Sequence, residues 1–337
     1  MKKVLVLAAL VSLISALPLS LTGQELDPQC PPGTIDGNGD PDNTMIAQDA
    51  CQKAIDLFAY MAPQLGMVLA GGNPTQGVSG AFGRIGAFSI GIRANALNGS
   101  LPEIDRVVPN TRGAQQSNYT LDTTPLGFAT ADIALGVYPG MPYGFGAIDL
   151  LVSAAYVPSY DNGTIDVSTP SGSFKLGFGG KLGIVSETAT RPGVSVSYLN
   201  RSLPRVDILA QSGDDHLLLE DVSVRSKSWR AVAGKSLGFL GVGAGYGRDT
   251  YKSSATITVT VAPRSSTPGG TGGPIELGQD IGRSNMFATV WIKSQVLRIV
   301  GEVGRVSGGE ISTYNQFTGV QPADPRNYVS LGFSFGR

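Results

Sequence analysis

From about residue 84 onward the chain alternates apolar with small or polar side chains, a period of two that predicts strands with different surroundings on their two faces. In RIGAFSIGIRANA (84 to 96), Phe88, Ile90, Ile92, Ala94 and Ala96 fall on one face, and Ser89, Gly91 and Arg93 on the other. In SFKLGFGGKLGIV (173 to 185), Phe174, Leu176, Phe178, Leu182 and Ile184 oppose Lys175, Gly177, Gly179, Lys181 and Gly183. Segments 126 to 137, 145 to 157, 193 to 201, 238 to 248, 285 to 293, 296 to 305 and 327 to 337 behave alike. Segment 219 to 235 changes phase between Lys227 and Arg230, which predicts a bulge. One strand per segment makes about ten, within a range of about 8 to 14.

The connections take turns in length. PGMPYG (139 to 144), ETATRP (187 to 192), KSLG (235 to 238) and KSQ (293 to 295) are short, whereas 97 to 120, 158 to 172, 202 to 218, 262 to 283 and 307 to 325 are long and polar. A soluble sandwich has no reason to keep this parity, but a membrane barrel does, with short turns at one rim and long loops at the other. The predicted fold is therefore all-β: a transmembrane antiparallel up-and-down β-barrel over residues 84–337, preceded by a short N-terminal helical segment. ATITVTV (255 to 261) would carry the 238 strand above the membrane.

The last segment, NYVSLGFSFGR, sets Val329, Leu331, Phe333 and Phe335 against Tyr328, Ser330, Gly332 and Ser334. In water that apolar face would be an aggregation hazard, and lipid removes the difficulty. MKKVLVLAALVSLISALPLSL has two lysines and an apolar run broken by Pro18, the pattern of a signal peptide over residues 1–23. The alternative, an anchoring helix, is opposed by a run too short for a bilayer core of about 30 Å. Export would place Cys30 and Cys51 in an oxidising compartment, where a disulfide closing a short N-terminal loop is expected. Lys+Arg number 25 against 26 Asp+Glu with no basic stripe, which argues against nucleic acid as a partner.

Strand parity, export and the terminal YVSLGFSF resemble Gram-negative outer-membrane β-barrel proteins. The resemblance implies an outer-membrane location, membrane lipid as surroundings, and a last strand read by the barrel-insertion machinery. The residues that would carry that signal are Tyr328, Leu331, Phe333 and Phe335.

Residues 24–83 do not alternate. Ala47, Ala50, Ala54, Phe58 and Met61 recur at three and four, which predicts an amphipathic helix over 45–61 capped by Asn43 or Thr44. A disulfide-closed segment ahead of the first strand belongs in the periplasm or in the lumen. Gly241, Gly243, Gly245 and Gly247, with Gly177, Gly179 and Gly183, line two inward walls. Side chains normally fill a small barrel. The glycines then leave room for a plug, or they relieve curvature. An N-terminal plug with GGNPTQG before the barrel is weakly similar to the long-chain fatty acid transporter type, a likeness carried by Asn73, Pro74 and domain order.

Chemistry has few candidates. Asp36, Asn38, Asp40 and Asp42 have the spacing of a calcium loop, but Pro41 and Ala47 stand where that loop needs Gly and Glu. A solvated turn is the reading adopted, and no metal or cofactor is expected. The single histidine, His216, follows Asp214 and Asp215 in a long loop, and no enzyme is expected. GKS (234 to 236) lacks the glycine of a phosphate loop. Inward charges remain: Arg93, Asp132, Asp149, Lys175, Lys181, Arg298 and Glu302. Facing lipid would cost about 2 to 4 kcal/mol for each Arg or Lys at the midplane, so they must face water, a plug or one another. Mixed signs favour a neutralising lumen network over an ion-selective ring. Two functions follow: passive transport of small or hydrophobic molecules through a plugged lumen, or a structural or adhesive barrel acting through its long outer loops.

Overall fold

The computed structural model describes residues 25–35, 37, 42–73, 75, 79–103, 109–141, 145–263 and 269–336. The signal-peptide segment, Asp36, Asn38, Asp40 and Pro74 lie outside them. Ten strands close a ring: β1 (Phe88–Pro102), β2 (Leu121–Tyr138), β3 (Ile148–Tyr156), β4 (Phe174–Val185), β5 (Gly193–Ser202), β6 (Asp215–Leu237), β7 (Leu240–Val261), β8 (Gly270–Lys293), β9 (Leu297–Ser307) and β10 (Arg326–Gly336). Each is antiparallel to its sequence neighbours. The seam joins β10 to β1 from Ser89↔Gly336 to Leu97↔Tyr328.

Polarity is inverted across the wall. On β10 the outward Leu331 is 64% exposed, while the inward Asp149 and Asp249 are 0% exposed. Ile90, Ile92, Met286, Val290 and Val303 continue the outer apolar belt. Water would select the reverse arrangement, so the ring is a transmembrane barrel, closed by antiparallel ladders between all neighbouring strands.

Strands β6, β7 and β8 run past the belt on the long-loop side. β8 begins at Gly270 rather than near 284, because the extension of β7 takes a partner there: Ala255 faces Leu277 and Ile257 faces Ile275. β6 is also bordered by a short strand, Val206–Ser212, which continues the sheet to Ile165–Ser168 and Tyr160–Asp161. The bulge expected between Lys227 and Arg230 lies instead between Glu220 and Ser223, where Asp221 has φ 52°. From Ser223↔Ser254 to Leu237↔Leu240 the register is unbroken. The polarity changes at Lys227 because the strand leaves the belt, not because its backbone shifts.

The glycine wall of β7 is filled by its neighbour. A Cβ at Gly241 would come within 2.1 Å of the Trp291 indole, and one at Gly245 within 2.2 Å of the Phe287 ring. The room left by these glycines thus belongs to aromatic side chains of β8. Gly241→Ala is expected to cost about 1 to 3 kcal/mol, since two adjacent strands fix both partners. Urea unfolding of the protein in lipid bilayers checks it, and an unchanged midpoint would mean that Trp291 has another place to go.

Helix α1 spans Asn43–Ala70, longer than the expected 45–61, with Asp42 as its cap in place of Asn43 or Thr44. It continues through Pro63, which cannot bond the Ala59 carbonyl one turn back. Gln279 Nε2 of β8 donates to that carbonyl at 3.3 Å, which offsets the loss. Cys51 on the helix is joined to Cys30, with their Cα atoms 5.7 Å apart.

The helix is encircled. Met67, Val68 and Ala70 pack with Leu97 of β1, Val232 of β6, Tyr251 of β7, Phe287 of β8, Val306 of β9 and Tyr328 of β10. Leu69 packs with Ala155 of β3 and Val224 of β6. At its other end Ile46 and Ala50 pack against Val261, at the long-loop end of β7. The chain thus enters at the long-loop rim and descends inside the ring to begin β1 at the opposite rim.

Candidate functional site

The last carbonyls of a helix have no partners within it and carry the negative end of its dipole. Here three arginines from the wall meet them. Arg201 Nη1 donates to the Leu69 and Ala70 carbonyls at 3.1 and 3.2 Å. Arg230 donates to the Gly72 carbonyl at 2.8 Å and also to that of Ala70. Arg93 donates to the Gly71 carbonyl, which Asn95 Nδ2 also reaches at 3.0 Å.

Three buried carboxylates balance these cations. Asp132 lies 3.0 Å from Arg93 and 3.8 Å from Arg201. Asp249 and Glu302 each lie 3.8 Å from Arg230. Tyr328 donates its hydroxyl to Glu302 at 2.8 Å, and the Asn73 amide donates to the same carboxylate at 3.1 Å. Each charge has an ion-pair partner, and Asp249 also accepts from Tyr251 and Asn285 at 3.2 and 3.3 Å. Pairing is the condition under which burial of ions is tolerated.

Below this collar residues 71–73, 75 and 79–83 lie inside the ring. Asn73 Oδ1 accepts from the Thr75 amide and hydroxyl at 3.1 and 2.9 Å, closing a local turn. Lys181 of β4 donates to Thr75 Oγ1 at 3.0 Å. Asp149, opposite Lys181 in register, accepts from the Phe82 amide at 3.1 and 3.2 Å. Ser79 donates to the Gly234 carbonyl at 3.1 Å, and Phe82 packs on Ala134, Leu151 and Leu199.

Of the residues expected in a lumen network, Arg93, Asp132 and Glu302 stand in the collar, and Asp149 and Lys181 hold the segment beneath it. Arg298 is half-buried near the short-turn rim, beside Phe82 and Ser334. Lys175 keeps the parity of Gly177 and Lys181 but is exposed near the long-loop end of β4, and it has no contact with the collar arginines. Arg201, Arg230 and Asp249 were not anticipated. Arg201 shares the parity of Ser195 and Ser197, and Asp249 that of the β7 glycines, so alternation alone carried the signal. Tyr328 faces inward, unlike Leu331, Phe333 and Phe335 on the belt. Of the calcium-loop residues only Asp42 is described, and its side chain caps α1.

Above the collar the long loops close on the helix. Asp49 accepts from the amides of Asn110 and Gln115 at 2.6 and 3.2 Å and pairs with Lys53. Asp56 accepts from the Asn315 amide and side chain at 2.8 and 2.6 Å and from the Tyr314 amide at 3.1 Å. Burial pushes the Asp56 carboxyl above its ordinary value, and these bonds oppose that rise. Tyr60 stacks on Phe317 with centroids 4.2 Å apart, and Arg326 donates to its hydroxyl at 2.9 Å. One side stays open: a cavity of about 360 Å³ lies between the helix residues Ala50, Ala54 and Leu57 and the rim residues Leu217 and Val259. His216 is exposed and lines this cavity beside Asp215.

No known family model matches the chain, and neither does any curated protein. Among solved structures, the toluene transporter TbuX of Ralstonia pickettii is similar at 11% identity, over 80% of this chain and 98% of that one, with TM-score 0.31. The CymD monoaromatic hydrocarbon channel is similar at 10% identity, over 75% and 89%, with TM-score 0.24. An anion-selective porin from Comamonas acidovorans is similar at 8% identity, over 74% and 98%, with TM-score 0.17.

Proposed function

We propose that this protein is an outer-membrane barrel that takes up small hydrophobic molecules from the outer face through a lumen plugged by residues 43–83. The supporting observation is the cavity of about 360 Å³ at the long-loop rim, walled by Ala54, Leu57, Leu217 and Val259. The apolar side chains form one wall, and Lys53, Gln211, Asp215 and His216 border it, so a cavity of this size suits a small ligand that is apolar over much of its surface. Below it lie residues 71–73, 75 and 79–83, whose contacts with the wall are hydrogen bonds except for the packing of Phe82, and whose Gly72 and Gly83 have φ of 72° and 64°. Such a segment rearranges more readily than a packed apolar core, because its bonds exchange with water. Membrane lipid and the insertion machinery are the partners this reading requires.

Leu217→Trp tests it. The larger ring narrows the cavity and should lower uptake of a labelled aromatic hydrocarbon into proteoliposomes about tenfold, the consequence of roughly 1.4 kcal/mol of overpacking. Equal uptake by both proteins would overturn the entry site. A second reading, a structural or adhesive barrel, draws on the loops that Asp49 and Asp56 fix to the helix as a rigid outer surface. It prevails if neither the full chain nor one lacking residues 24–83 conducts in planar bilayers or accumulates solute.

A further inference from the structure

The outer wall changes character just above the belt. On β6 and β7 its upper edge is marked by Trp229 and Tyr246, with ring centroids 5.8 Å apart. Aromatic side chains at that position mark the level of the lipid headgroups. There the outward face becomes cationic: Arg248 stands opposite Trp229, Lys227 opposite Thr250, and Arg225 opposite Lys252. All four cations are exposed. Like charges directly across a strand pair destabilise it, so Arg225 and Lys252 side by side do not serve the sheet. Lys252 is relieved by Asp280 at 2.9 Å. Among the described residues no carboxylate lies within ion-pair distance of Arg225, Lys227, Arg248 or Lys175.

A concavity adjoins these charges. The ladder between β4 and β5 stops at Phe178↔Asn200, although β4 extends to Phe174 and β5 to Ser202. Beside this fork is a cavity of about 290 Å³ lined by Lys175, Arg205, Arg225 and Lys252 together with Ser202 and Ser254. None of its lining residues is acidic. Of its cations, Arg205 and Lys252 have carboxylate partners, Asp221 at 3.2 Å and Asp280.

We propose that this cavity binds the phosphoryl group of an anionic lipid in the outer leaflet. Guanidinium, ammonium and hydroxyl groups at the headgroup level, two of the four cations being without a carboxylate partner, form the donor set that phosphate oxygens require. The acyl chains of the same molecule would descend over Phe174, Leu176 and Phe178, which face outward on β4. Inorganic phosphate offers the donors the same oxygens but has nothing to lay on that face, so lipid and free anion are separable.

The test titrates the full chain, in micelles of a neutral detergent, with a bis-phosphorylated glucosamine-disaccharide lipid and, in a second arm, with inorganic phosphate. Bound ligand is counted by native mass spectrometry. The lipid should bind, inorganic phosphate should not, and Lys175→Gln with Arg225→Gln should weaken lipid binding about 30-fold, the effect of two surface cations. Both residues are exposed, so the folded barrel persists. Arg84→Gln with Arg191→Gln removes the same charge at the opposite rim and should leave binding unchanged. Undiminished binding by the first pair, equal loss from both pairs, or equally tight binding of inorganic phosphate would each overturn the proposal.

Discussion

Arg230→Gln is expected to destabilise the protein by about 3 to 5 kcal/mol, because it leaves two buried carboxylates short of a partner. Asp249 and Glu302 both face this guanidinium, and the Gly72 carbonyl loses its donor together with it, while the Ala70 carbonyl keeps only Arg201. The glutamine amide can replace one hydrogen bond but not the charge. Because these contacts tie the helix end to the wall, loosening them should also admit ions: current should rise across planar bilayers holding the variant. Unfolding by urea in lipid bilayers reads the first effect and single-channel recording the second. An unaltered midpoint together with a silent bilayer would show that the collar is not what holds the segment. Arg230→Lys keeps the charge without the planar fork and should fall between the two.

The second large effect is on assembly. Phe333→Ser with Phe335→Ser withdraws two aromatic side chains from the lipid-facing belt, at about 1.5 to 3 kcal/mol each. Ile92 of β1 and Ile299 of β9 flank Phe333 in register on the two sides of the last strand. The fraction of chain recovered from membranes in the folded, heat-modifiable form should fall far below that of any loop variant. Normal insertion would count against both the belt and the assembly signal placed on this strand.

The wall was legible in the chain because alternation between lipid and lumen is imposed on nearly every residue, and ten segments repeat it. Strand ends were less legible above the membrane, where the outer face meets water and the inner face packs on the helix, as Ile257 and Leu277 do, so the contrast between lipid and lumen no longer applies. That is why β8 begins at Gly270 and the bulge of β6 lies at Glu220. Arg230 was hidden by the same cause: next to Lys227 and Trp229 it looked like a break in phase, while the backbone places it on the inner face in unbroken register. The glycines of β7 pointed to missing volume, but only the register could say that Trp291 and Phe287 supply it. The helix beyond Pro63 was unreadable, because the donor that permits it, Gln279, is more than two hundred residues away.

The course of residues 25–87 has a consequence for how a passage could open. A stopper pushed in from one side can be expelled from that side, but this helix is a thread through a hoop, secured at both ends. At one rim the Cys30–Cys51 bridge makes a knot that the loops around Asp49 and Asp56 hold. At the other the thread becomes β1 and is stitched into the hoop itself. Ejection toward the outer face would therefore require undoing the seam, whereas withdrawal toward the other rim requires release of the loop contacts and of the arginine collar.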